Sequence, residues 1–288
     1  MTIGIIGLGL IGGSIAKECR RAGHRVIGAD ASEKHKAQAI DFEVVDEVMS
    51  AEDLIKESDV IGLCIPVDLI AKHLPNVLDR IKWNQVVFDV GSTKGDICRV
   101  VSDHEKRSRF IAAHPLAGTE YSGPTAAIFD LFKRKKNIIC EEGKSDEDAL
   151  RKVVDVFNLL GMQSLFMQAD DHDKHMAYVS HLSHISAFTL SLTVLDIEND
   201  EKQIFNLAST GFESTVRLAK SNPKTWSSIF ENNSEYLSTA LGSYIDHLSE
   251  FKRTLDEGDK SKSIELMEKA NEIKRVLNGM GLNTIKLS

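Results

Sequence analysis

Three sets of side chains have the types and spacing to do chemistry. The first is Gly7-Leu8-Gly9-Leu10-Ile11-Gly12, a GxGxxG turn near the N-terminus. Glycines at this spacing let the turn after a first strand close, let backbone approach a pyrophosphate, and let the next helix pack closely with its N-terminus toward the phosphates. The second is His114, which follows the apolar run Phe110 to Ala113, is fixed by Pro115 and precedes the small residues of Leu116-Ala117-Gly118. A histidine there can accept a proton from an alcohol as hydride leaves the same carbon, the task of a dehydrogenase base. A histidine that merely caps the strand is the alternative. The third is Arg217, whose guanidinium suits bidentate capture of a carboxylate unless it pairs with Glu213 one turn earlier.

Other polar residues join these sets. Asp30 ends a second apolar run about 20 positions past the glycines, where a carboxylate accepts hydrogen bonds from the adenosine ribose; a 2′-phosphate would meet it as a like charge, so NAD is expected over NADP. Asp30 also fits an N-cap before Ser32-Glu33-Lys34. Ser92 can orient the His114 imidazole or a substrate hydroxyl, or cap the helix that follows. His172, His175, His181 and His184 invite a metal reading, but at about 100° per residue His172 and His181 fall on opposite faces of a helix, so no metal is expected. The same geometry puts Asp173, Ala177, Ser180, His184 and Ala187 on one strip, either a helix seam or a wall facing a ligand.

The elements that must position these groups follow from the apolar pattern. Runs at Ile3–Ile6, Arg25–Ala29, Val60–Ile65, Val86–Val90 and Phe110–Ala113 alternate with helical stretches, as a parallel sheet with both faces covered requires. Ligands in such sheets bind outside the carboxyl ends of the strands. Gly7, Asp30, Pro66, Ser92 and His114 lie at such ends and are expected to line one crevice, with Cys64, Pro66 and Gly91 joining the glycine turn as cofactor contacts. Segments 137–140, 146–160 and 163–166 complete this domain. Beyond Gln168 only helical patterns follow, broken at Asn199-Asp200, Ser221-Asn222-Pro223 and Gly258-Asp259. The expected fold is therefore a Rossmann-type doubly wound α/β domain over residues 1–168 and an all-helical domain over 169–288.

Composition narrows the function classes. A net charge of -8 with no basic run argues against nucleic acid as a partner. Cys19, Cys64, Cys98 and Cys140 are scattered without a CxxC, as in a reduced, cytoplasmic protein. No stretch is apolar and long enough to span a bilayer, and the glycine-broken start lacks the basic leader of a signal peptide.

Taken together, GxGxxGGS with Asp30, Asp89-Val90-Gly91-Ser92-Thr93-Lys94-Gly95, the HPLAGTE run of His114 to Glu120, His172-Asp173 with Ser180-His181-Leu182-Ser183-His184, and Gly211-Phe212, Arg217, Asn222-Pro223 and Trp226 resemble the prephenate/arogenate dehydrogenases of tyrosine biosynthesis. The order and spacing agree over nearly the whole chain. The resemblance implies NAD-dependent oxidative decarboxylation of prephenate, or of arogenate, with His114 as the group that removes the ring hydroxyl proton. It implies that Arg217 binds substrate carboxylate, that Ser92 and His184 are polar substrate-site groups, that Asp173 and Glu120 form an acidic pair near the entrance, and that Trp226 lies close by. It also implies a homodimer through the helical domain and leaves no segment for a chorismate mutase or regulatory domain. Ser183 replaces a frequent proline, and Glu213-Ser214 replaces a frequent Arg-Asp; Lys94, Lys220 or a helix N-terminus is then the expected counter-charge for a second carboxylate. Two other classes fit the same opening turn: a β-hydroxyacid type dehydrogenase with a catalytic lysine on a helix, and a non-catalytic dinucleotide sensor.

Overall fold

The computed structural model describes residues 1–198 and 209–277. Eight strands form one sheet: β1 (Thr2–Ile6), β2 (Arg25–Ala29), β3 (Glu47–Val48), β4 (Val60–Leu63), β5 (Val86–Asp89), β6 (Phe110–Pro115), β7 (Lys136–Cys140) and β8 (Gln163–Met167). Their order is β3-β2-β1-β4-β5-β6-β7-β8, so the chain reverses direction across the sheet between β1 and β4. Every neighbouring pair is parallel except β6 and β7, where Ala112 faces Cys140 and Pro115 faces Asn137. The segment joining that antiparallel pair is a loop, because antiparallel neighbours need no crossover helix.

The helices are α1 (Leu10–Arg21), α2 (Glu33–Asp41), α3 (Ala51–Glu57), α4 (Val67–Arg80), α5 (Gly95–Arg99), α6 (Glu147–Leu159), α7 (Ala169–Met176), α8 (Leu182–Glu198), α9 (Thr210–Val216), α10 (Pro223–Asn232), α11 (Ser234–Asp256) and α12 (Lys260–Asn271). Alternate strand residues feed two cores, one on each face of the sheet. Val26, Val60, Phe88 and Ile111 pack with α1 and α6 residues such as Ile15 and Phe157, whereas Ile27, Ile61, Val87 and Phe110 pack with α4 and α5 residues such as Leu74 and Ile97. Burial on both faces is why these strands read as continuous apolar runs.

The chain divides into two compact units, Met1–Leu237 and Ser238–Ser288. In the first, the sheet ends at Met167 and helices follow from Ala169, the position where the sequence pattern changes. In the described part of the second, Asp259 caps α12 by accepting the Lys262 N–H at 2.9 Å, and Thr254 and Ser263 share a 2.8 Å hydroxyl contact. The expected break at Gly258-Asp259 lies between α11 and α12, and that at Ser221-Asn222-Pro223 opens α10, with Asn222 as its cap. The break expected at Asn199-Asp200 and the chain beyond residue 277 lie outside the described residues. No described helix is long and apolar enough to cross a membrane.

Candidate active site

At the carboxyl ends of β1, β4 and β5 a cleft of about 690 Å³ opens, lined by Gly9, Leu10, Ile11, Cys64, Pro66, Gly91, Ser92, Glu120 and Trp226 among others. One end belongs to the glycine turn. Gly7 has φ +100°, and a Cβ there would sit 2.3 Å from the Cys64 carbonyl oxygen; one on Gly12 would sit 2.0 Å from the Gly7 carbonyl oxygen. Neither position tolerates a side chain. A Cβ on Gly9 would meet nothing within 4 Å, so the backbone is bare toward the cleft. The first turn of α1 carries no acidic residue and its N-cap makes no side-chain bond, which leaves its N–H groups for an anion. This cradle fits a pyrophosphate. Gly7, Leu8 and Gly12 therefore shape the turn from beneath, while Gly9, Leu10 and Ile11 face the cleft. Leu8 is fully buried.

Asp30 closes the same turn. Its Oδ2 accepts the Leu8 N–H and its Oδ1 accepts the Ser32 N–H, both at 2.8 Å, with His35 Nδ1 3.4 Å from Oδ1. The N-cap of α2 is Ser32, not Asp30: the Ser32 hydroxyl accepts the His35 N–H at 3.3 Å. Cys64 borders the cleft as a neutral thiol, because burial, then the charges of Asp89 and the Cys19 thiol, push its pKa up.

The Ser92 loop of the cleft is held in place from beneath by groups from distant segments. Asp89, at the end of β5, accepts the Gly91 N–H at 2.8 Å and the Ala113 N–H at 3.1 Å, and is paired with the fully buried Lys94 ammonium. Lys94 also donates to the Ala113 carbonyl at 2.7 Å. This pin joins β5, β6 and the loop that carries Ser92. It also removes Lys94 from the expected counter-charges and from the role of a catalytic lysine, since its ammonium faces the protein interior. The helix α5 is capped from far along the chain: Asp173 accepts the Lys94 and Gly95 N–H groups, each at 2.7 Å. Ser92, half-buried on the cleft, is thus not the cap of that helix.

Asp173 also holds a histidine relay. His172 Nδ1 lies 2.7 Å from Asp173 Oδ1, and His172 Nε2 lies 2.9 Å from His114 Nδ1. A carboxylate only accepts, so His172 donates from Nδ1 and has a bare Nε2; that nitrogen must accept from His114 Nδ1, which leaves the Nε2 of His114 as a free lone pair. Burial, followed by the charges of His172, Lys94 and His181, holds the His114 pKa well below the ordinary histidine value, so the ring is neutral. His172 is also lowered, chiefly by burial and against the pull of Asp173. With its carboxylate occupied and only 5% exposed, Asp173 stands behind the histidines and not at an entrance, whereas Glu120 does border the cleft.

His172 and His181 are both buried because the helix is not α throughout. Residues Ala177–His181 form a π turn between α7 and α8. One extra residue sets everything downstream back by about 100°, so a pair expected on opposite faces comes within roughly a quarter turn. His181 accepts from Asn233, and His184 stacks on Trp226 with ring centroids 3.3 Å apart. Asp173, Ala177, His184 and Ala187 of the expected strip are buried. The pKa of His184 is lowered by burial and, against a bond to the Ser180 carbonyl, by the charge of Arg217. Arg217 has no ion pair among the described residues, because Glu213 pairs with Lys220 at 3.7 Å instead. The motifs drew attention to the His172-Asp173 pair, but not to its contact with His114, the burial of Lys94 or the presence of Asn233.

A bare glycine cradle at the reversal point of a parallel sheet, with a neutral imidazole on a strand pinned to the Ser92 loop of the same cleft, is the equipment of a dinucleotide-dependent dehydrogenase. Residues 15–165 match the family described as prephenate dehydrogenase, nucleotide-binding domain, and residues 168–269 match prephenate dehydrogenase, dimerization domain. The chain belongs to the prephenate dehydrogenase family. It is 27% identical over 282 residues to a cyclohexadienyl dehydrogenase of Zymomonas mobilis, covering 96% of this chain and 95% of that one. Among solved structures, prephenate dehydrogenase from Aquifex aeolicus in complex with hydroxyphenyl propionate and NAD+ is similar at 29% identity, 96% and 97% coverage and a TM-score of 0.84. Synechocystis arogenate dehydrogenase is similar at 28% identity, 96% and 100% coverage and a TM-score of 0.78.

Proposed function

We propose that the protein oxidises prephenate with NAD and releases carbon dioxide, giving 4-hydroxyphenylpyruvate for tyrosine synthesis. The observation that carries this reading is the His114–His172–Asp173 relay, which leaves a neutral Nε2 on His114, the residue after Ala113, where Asp89 and Lys94 pin β6 to the loop that brings Ser92 to the cleft. Bound NAD supplies the hydride acceptor. Gly9, Leu10 and Ile11 hold its pyrophosphate, Asp30 its ribose, and Cys64, Pro66 and Gly91 border its path. His114 Nε2 takes the proton of the ring C4 hydroxyl as that carbon loses hydride. The cation so formed is shared with His172, whose other nitrogen stays bonded to Asp173. Arg217 binds a substrate carboxylate, Ser92 orients the hydroxyl or the imidazole, and His184, Trp226 and Glu120 shape the far wall. The ring carboxylate leaves as carbon dioxide and its bonding pair completes the aromatic ring.

Asp173 has a positioning role in this scheme. Residues 1–168 bind the dinucleotide and 169–288 complete the substrate site and form a homodimer. The match to a dimerization domain supports the dimer, as do exposed apolar side chains such as Leu192 and Ile197 on α8 and Leu248 and Leu255 on α11. The described cysteines are free, as a cytoplasmic enzyme requires. Purified protein mixed with NAD and prephenate is expected to produce NADH and carbon dioxide in equal amounts. The same assay with arogenate tests the alternative substrate, for which the similarity to an arogenate dehydrogenase is the support. Absence of turnover with both would overturn the reading.

A further inference from the structure

Asn233 belongs neither to the glycine turn nor to the histidine relay, yet it is 4% exposed and its carboxamide is used twice. It is the C-cap of α10, at the junction with α11. Its Nδ2 donates to the Asp173 backbone carbonyl at 2.8 Å and lies 3.0 Å from His181 Nδ1. The carbonyl decides which way the amide faces, because a flipped amide would set two acceptors against each other. An amide nitrogen only donates, so His181 Nδ1 accepts and its ring proton sits on Nε2. The two acceptors bracket the π turn Ala177–His181, the departure from α geometry that brings the histidines together. Among the described residues the neighbouring Asn232 side chain makes only a local bond, to the Ser228 carbonyl at 2.8 Å, so the adjacent asparagines do different work.

We propose that Asn233 is a positioning residue for catalysis: it locks the π turn so that His181 presents one tautomer and the Asp173 carboxylate stays beneath His172. This rests on the reading of His114 as the base. The groups around His181 are Asp173 and His172 from α7, His184 from α8, Trp226 from α10 and, through its charge, His114 from β6. Burial, with the charges of His172 and His184 acting against that of Asp173, lowers His181 to about 4, so it is neutral at physiological pH. A neutral ring between His172 and His184 adds no positive charge near the base.

Asn233→Asp keeps the size and exchanges the donor for a carboxylate, so the Asp173 carbonyl loses its donor and His181 must carry a proton on Nδ1 to keep its bond. Nitrogen NMR of the full-length variant is expected to show a His181 imidazolium at neutral pH where the parent shows the neutral Nε2–H form. The variant's kcat/KM is expected to gain an ionisation between about pH 5 and 8. Its kcat is expected to fall about tenfold or more with KM for NAD held. Asn233→Ala is expected to show mixed neutral tautomers and a similar loss of kcat without the new ionisation; should it fail to fold, the aspartate variant decides alone. The parent tautomer persisting in Asn233→Asp, or an unchanged kcat and pH profile with only the melting temperature moved, would overturn the proposal. Because NMR requires no turnover, a wrong substrate assignment and a wrong role for Asn233 give different results.

Discussion

The glycine end and the histidine end of the site are built on opposite plans. At the glycine end the partners are near one another in the chain or lie on adjacent strands: Gly7 and Leu8 bond to Ala29 and Asp30, and α1 begins at once. At the histidine end, Asp89, Lys94, His114, His172, Asp173, His181 and Asn233 come from six separate elements and junctions and are joined by buried hydrogen bonds. Holding a phosphate needs backbone N–H groups, and a local turn can supply them. Holding a base neutral, in one tautomer, needs desolvation and fixed partners, which only tertiary packing provides.

That contrast can be broken experimentally. His114→Asn keeps a polar side chain at the strand end but cannot accept the proton; kcat is expected to fall about 10²- to 10⁴-fold with NAD affinity unchanged, measured by NADH formation and by titration with the cofactor. A fall in both would mean that the ends are not separable. The next effect is on stability. His114, His172, His181 and His184 all have lowered pKa values, chiefly through burial, so below the ordinary value of about 6.5 the unfolded chain takes up protons that the folded chain refuses. Stability is whole above that value and is lost as pH falls toward about 4, where His181 titrates. The loss from His181 alone is on the order of 3 kcal/mol, measurable as denaturant midpoints at a series of pH values.

Arg217→Ala should raise KM for prephenate roughly 10- to 100-fold, with a smaller change in kcat, because it removes a carboxylate partner and not the base. Steady-state kinetics that showed the loss in kcat alone would place Arg217 in the chemical step. Smallest is Asp30→Asn, which keeps an acceptor for the Leu8 N–H, gives up the one for the Ser32 N–H and removes the charge that repels a 2′-phosphate. The ratio of kcat/KM for NAD over NADP should drop about threefold to tenfold, with the Leu8 bond of the turn kept.

The same contrast explains what could be read from the chain alone. The glycine turn, the apolar strands and the change to helices after Gln168 are local patterns, and each has a structural counterpart. The short β3 was missed because Glu47–Val48 carries almost no apolar signal. The sheet was expected to be parallel throughout; β7 turns antiparallel because a loop, not a helix, precedes it. His114 stands out by its place after a strand and His172 by its pairing with Asp173, but their contact spans 58 residues and leaves no local signal, and the shared burial of His172 and His181 is hidden because 100° periodicity assumes an unbroken α-helix and the π turn violates it. Arg217 looked like half of a surface pair with Glu213 until Lys220 proved to take that place. Nothing in Asn232-Asn233 distinguishes the local bond of one from the long-range bonds of the other.

The central claim is that His114 works as a neutral base, kept so by burial and by its bond to His172. The most direct test is the pH dependence of kcat/KM for prephenate, which reports the essential base of the free enzyme. The activity of the parent protein is expected to hold through pH 6.5 and to decline only well below it, as a depressed His114 pKa requires. An acid limb centred at the ordinary histidine value would contradict the account.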